Sequence, residues 1–125
     1  MANTNQSLPL GRQLREARRI AGLNARELAQ RAGLSPAAVY SVERRDRGGR
    51  TLTLVKLVHA LGLTLRFPDL AALAKERGLR EAKLALVAAV AFDTVRAILS
   101  NPLGGNVRSF ERICAALDHP LNLVV

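Results

Sequence analysis

At 125 residues the chain is the size of one ordinary domain or two very small ones. Its apolar residues make up 49% of the sequence, yet it has only three Phe, one Tyr and no Trp, so any core must be built from Leu, Ala and Val, a composition that favours packed helices. Nineteen Lys and Arg against ten Asp and Glu leave a formal charge of +9, which excludes an acidic surface and points to a polyanionic partner.

The excess is uneven. Residues 1–67 hold twelve basic and four acidic side chains, a net of +8, whereas residues 68–125 hold seven and six, a net of +1. A single cysteine, Cys114, rules out an internal disulfide, and no apolar run follows a basic start, so a reducing cytoplasm is the expected location. The most apolar stretch, 84–99, is interrupted by Asp93 and Arg96 and falls short of the ~20 residues of a membrane span.

In chain order, residues 1–7 are polar without periodicity and are expected as a flexible tail. From Leu8, the residues Leu10, Leu14, Ala17 and Ala21 keep helical spacing, and Gly22 supplies a stop. Asn24 with Glu27 three residues later predicts a capping box opening a short helix to Ala32, ended by Gly33. Ser35 and Pro36 suit the cap and first position of a third helix, from Pro36 to about Arg44. A loop rich in Arg and Gly follows, then a fourth helix capped by Thr53 and stopped by Gly62. Residues 63–67 alternate with period two and predict a half-buried strand.

After Pro68 the pattern returns. Shifting the sequence by 56 positions pairs Leu14 with Leu70, Gly22 with Gly78, Leu28 with Leu84, Val39 with Val95 and Gly49 with Gly105. In all there are twelve identities, about twice the number expected by chance for such a biased composition. The second copy would end in a helix capped by Ser109 and an alternating segment, 121–125.

Arg18, the Gly22-Leu23-Asn24 turn, Glu27-Leu28-Ala29, Ala32-Gly33-Leu34-Ser35 and Val39 with Val42-Glu43-Arg44 resemble the Cro/CI/Xre repressor family over about residues 8–67. The strand after the fourth helix is similar to the HipB-like antitoxin branch. The resemblance implies a helix-turn-helix whose second helix enters the major groove with its N-terminal residues toward base edges. Those residues are Ser35, Pro36, Ala37, Tyr40 and Ser41, a poor reading set because none makes bidentate contacts to a base. Arg44, Arg45, Arg47 and Arg50 surround the following loop and are the expected phosphate contacts. The family commonly grips a phosphate with Gln at the start of the second helix. This chain has Ala25 there, and Arg26 is the partial replacement. Arg18 and Glu43 occupy the positions of a family ion pair joining the first helix to the end of the third.

In the second copy Ala74 and Leu99 stand at the ion-pair positions, Ala89 at the turn glycine, and the helix over 91–98 carries Asp93 and one Arg, Arg96. This half is read as a partner or dimerisation surface, the alternative being a second, weaker half-site reader. His59 and His119 are isolated, Cys114 lies in an apolar run suited to a core, and no metal-ligand or phosphate-cradling spacing occurs, so neither catalysis nor a cofactor is expected.

The expectation is an all-α protein. It comprises a tail (1–7), a DNA-binding helix-turn-helix domain (8–67) and a degenerate second module (69–125), each module ending in a short strand and the two strands pairing. Its function would be repression through double-stranded DNA. The rival is an antitoxin-like module that silences a toxin or other protein partner, and a homodimer also stays open.

Overall fold

The computed structural model describes residues 9–44 and 49–124, so the expected tail over 1–7 lies outside the described residues. Within them the chain is mostly helical. In order, it forms α1 (Leu10–Ile20), α2 (Ala25–Ala32), α3 (Pro36–Glu43), α4 (Thr51–Ala60), β1 (Thr64–Leu65), α5 (Leu70–Glu76), α6 (Glu81–Ala88), α7 (Phe92–Ser100), a 3-10 turn (Pro102–Gly104), α8 (Val107–Ala116) and β2 (Leu123–Val124). No helix among the described residues is long and apolar enough to cross a membrane.

Local chemistry sets most helix ends. The Glu27 N–H donates to Asn24 Oδ1 at 2.8 Å and the Asn24 N–H donates to Glu27 Oε1 at 2.9 Å, which is the reciprocal cap that opens α2. Gly33 ends α2 at φ 72°, a left-handed conformation that favours glycine. Ser35 holds the cap position of α3 without a side-chain hydrogen bond, and Pro36 fills the first turn.

Two caps differ from the sequence expectation. Helix α4 begins at Thr51 and not after Thr53, because the Thr51 N–H already has an acceptor at 3.0 Å, the carbonyl of Gly105, and needs no side-chain cap. Helix α8 is capped by Asn106, whose Oδ1 accepts from the Ser109 N–H at 2.8 Å, so Ser109 lies inside the first turn. The strands are also shorter than their alternating segments. They pair antiparallel over two residues each, Thr64 with Val124 and Leu65 with Leu123.

A spacing of 56 residues recurs in the backbone. Helices α2 and α6 start and stop 56 apart, as do α4 and α8. Among the described residues every positive φ falls in such a pair: Gly22 with Gly78, Gly33 with Ala89, and Gly62 with Asp118. Arg50 and Asn106, again 56 apart, face each other in an antiparallel bridge. The spacing fails at the end of α7, which runs one residue past the counterpart of Glu43, and at two further places. Helix α1 has a first turn that α5 lacks, and β1 and β2 begin 59 apart.

That extra turn of α1 reaches the other half of the chain, where the Leu10 N–H donates to Glu111 Oε2 at 2.7 Å. Buried residues of both halves, from Leu14, Val39 and Leu57 to Leu84, Ile98 and Phe110, belong to one hydrophobic cluster. Phe67, just past β1, meets Phe110 of α8 with ring centroids 5.2 Å apart, a tilted pair that joins the halves beside the sheet.

Candidate nucleic-acid interface

The short α2 sets α3 across it. The two helices approach closely because the residues between them are small or branched: Ala29 and Leu28 on α2, Val39 and Val42 on α3, all buried. Burial of Val39 and Val42, three residues apart, fixes which face of α3 turns inward. Ser35, Pro36, Ala37 and Tyr40 are therefore left exposed, with Tyr40 at 46%.

Ser41 fares differently. It is half-buried, and its hydroxyl donates to the Ala38 carbonyl at 2.8 Å, which occupies its one donor. What it can offer a base is an acceptor only.

The C-terminal end of α3 is pinned by charge. Arg18 donates through Nε to Glu43 Oε2 at 2.8 Å and through Nη2 to Oε1 at 3.0 Å, a two-pronged contact, while Nη1 donates to the Leu23 carbonyl at 3.0 Å. One guanidinium thus holds α1, the α1–α2 turn and α3 together. The hydrogen bond to Glu43 raises the Arg18 pKa above its ordinary value despite the opposing effect of desolvation, so the guanidinium keeps its charge.

Beside this pin lies a run of free positive charge. The Arg44 guanidinium sits 5.3 Å from the Tyr40 ring centroid, which orders it against α3 without neutralising it. Arg50 is exposed at the cap of α4, and Arg26 is exposed in the first turn of α2 beside the buried Ala25. Arg45 and Arg47 lie outside the described residues.

Among the described residues the ion pairs are Arg18 with Glu43 and the exposed Arg96 with Glu81 at 3.9 Å, so Arg26, Arg44 and Arg50 keep their charge for solvent or a ligand. Gly49, just ahead of α4, packs closely on α3. The Gly49 N–H donates to the Ser41 carbonyl at 3.0 Å, and a Cβ at Gly49 would lie 2.6 Å from Val42 Cγ2, a space only glycine fits.

The helix-turn-helix family model matches residues 14–67, from the second turn of α1 to the end of the segment that carries β1. Residues 14–67 are a helix-turn-helix domain of the Cro/CI/Xre type. No curated protein and no solved structure matches the chain. The helix-turn-helix domain marks a DNA-binding transcription regulator, and α2 and α3 are its two motif helices.

Two sets of basic residues escaped the sequence reading. Arg12, Arg15 and Arg19 form an exposed stripe on α1, legible as an i, i+3, i+7 spacing but masked there by the apolar pattern of the same helix. Arg108 is brought beside the helix-turn-helix domain by the fold alone, and it lines one recess with Arg44 and Gly49.

Outside this region the chemistry is sparse. Cys114 is buried, and desolvation, with a smaller contribution from the Glu111 carboxylate, pushes its thiol up to about 12, which leaves it an inert core residue. The described residues contain no cluster of His, Cys, Asp and Glu able to hold a metal ion.

Proposed function

We propose that the chain is a transcriptional repressor that occupies operator DNA through α3 and the arginines around it, while residues 69–125 serve as a built-in partner half. One observation carries this reading. The outward face of α3 is held firmly on the buried Val39 and Val42 and the Arg18–Glu43 pin, and it is flanked by the unpaired Arg44 and Arg50. Such a surface suits a major groove, where the arginines meet phosphates and the small side chains approach base edges.

Ser35, Pro36 and Ala37 supply few hydrogen bonds, so affinity rests mainly on the phosphate contacts, and sequence preference on close apolar approach and DNA shape. The corresponding helix of the second half, α7, presents Asp93 in its first turn and an Arg96 already beside Glu81, which suits it poorly to a phosphate backbone.

Mobility shift of the purified chain with genomic fragments, followed by footprinting, tests the reading. A protected site upstream of a gene is the expected result. Absence of any shift at low salt overturns it.

A second reading is favoured by a separate observation. Leu86 and Val87 on α6 and Phe92 at the start of α7 are 78%, 53% and 44% exposed. Three large apolar side chains on one helix pair suit a protein partner, as an antitoxin-like chain requires. A co-purifying protein lost on Leu86→Ser together with Val87→Ser supports this reading, and a chain that purifies alone from its own cells argues against it.

A further inference from the structure

The N-terminal ends of α4 and α8 meet through two backbone hydrogen bonds that mirror each other. The Thr51 N–H donates to the Gly105 carbonyl at 3.0 Å, and the Val107 N–H donates to the Gly49 carbonyl at 2.9 Å. Each donor and each acceptor in one bond lies 56 residues from its counterpart in the other, so the Arg50–Asn106 bridge sits on a local twofold relation between the two helix ends.

Arg108 is the second residue of α8, immediately past this junction. Its counterpart in the first half is Leu52, also exposed. The basic side chain therefore appears only on the far side of the junction, where it lines one recess with Arg44 and Gly49.

Arg108 is exposed and has no carboxylate in ion-pair range among the described residues. Glu111 borders the same recess as Arg44 and Arg108, but one of its oxygens accepts from the Leu10 N–H at 2.7 Å. Arg112, one turn further along α8, is turned elsewhere, with Nη1 toward the Ala89 carbonyl at 3.3 Å. Of the two arginines of α8, Arg108 is the one that shares a recess with Arg44.

We propose that Arg108 contacts a DNA phosphate on the far side of the local twofold, so that the second half clamps the duplex backbone without reading bases. The proposal rests on the DNA-binding reading above. It gives residues 69–125 a direct part in affinity, and it makes the contact pattern asymmetric: bases and phosphates on the α3 side, phosphate alone beyond the junction.

The test is fluorescence-anisotropy titration of a labelled duplex carrying the footprinted site, over a salt series, with Arg44→Ala, Arg108→Ala, Arg108→Lys and Arg112→Ala. Arg108→Ala is expected to weaken binding about five- to tenfold near 0.1 M salt and to lower the salt slope by about one contact's worth. Arg108→Lys should restore most of the slope, and Arg112→Ala should behave as the unaltered protein.

Loss of affinity in Arg44→Ala with none in Arg108→Ala overturns the clamp and leaves the DNA-binding reading standing. If neither variant changes affinity, the reading of the arginine row itself falls. Ethylation interference with the unaltered protein needs no variant: a phosphate that interferes beyond the α3 half of the site is expected, and interference confined to that half overturns the clamp.

Discussion

The Gln13 side chain grips the C-terminal strand segment by both ends of its amide. Leu123 N–H donates to Gln13 Oε1 at 2.9 Å, and Gln13 Nε2 donates to the Leu121 carbonyl at 2.7 Å. A residue of α1 thereby orders a strand 110 positions away, and that strand in turn pairs with β1. Replacing Gln13 with Ala leaves both backbone groups without this partner in a partly buried setting. A loss of about 1–3 kcal/mol is expected in urea melts of the full chain. A change below about 0.5 kcal/mol would mean that the two-residue sheet holds β2 by itself.

The Arg18–Glu43 pair joins two elements 25 residues apart, and its side chains are only 13% and 6% exposed. Glu43→Ala strands a desolvated guanidinium, for which about 1–3 kcal/mol of lost stability is expected. Because the pair also fixes the end of α3, DNA affinity should fall more than the loss of folded protein alone explains. Melting and binding measured on the same preparation check both.

Gly33 and Ala89 hold the same left-handed conformation, at φ 72° and 56°, but only one of them is a glycine. An L side chain at such a φ costs about 1–2 kcal/mol, part of which glycine gives back through its freer unfolded chain. Ala89→Gly is therefore expected to stabilise the chain by up to about 1 kcal/mol, and Gly33→Ala to destabilise it by a similar amount. Thermal melts of the two single variants should move in opposite directions.

The net charges of +8 over residues 1–67 and +1 over 68–125 predict unequal parts for the two halves on DNA. Converting Arg44, Arg45, Arg47 and Arg50 together to Ala is expected to weaken binding to all sequences and to flatten the salt slope by up to about four contacts' worth. Arg96→Ala, whose guanidinium already lies near Glu81 and the Phe92 ring, should leave both unchanged. Substitution of Ala37, by contrast, should shift the preferred sequence, since the proposed function places the exposed first turn of α3 against base edges.

The sequence alone determined what is decided within a few residues. Asn24 and Glu27 announced the cap of α2, and Gly22 and Gly33 its flanking turns, because each depends on local hydrogen bonding or on local backbone freedom. The family resemblance supplied the positions of Arg18 and Glu43, and the 56-residue shift of the sequence has its counterpart in the bounds of α2 with α6 and of α4 with α8.

Tertiary structure decided the rest. Thr51 opens α4 because a carbonyl 54 residues away, at Gly105, satisfies its N–H, and no local rule can see that acceptor. Ser41 reads in the sequence as one of the base-facing residues, whereas its hydroxyl donates to the Ala38 carbonyl, since a half-buried donor takes the nearest carbonyl. Arg108 reads in the sequence as an isolated charge in a nearly neutral half. It shares a recess with Arg44 only because two helix ends are locked together by backbone groups, which every residue carries and no sequence pattern reveals.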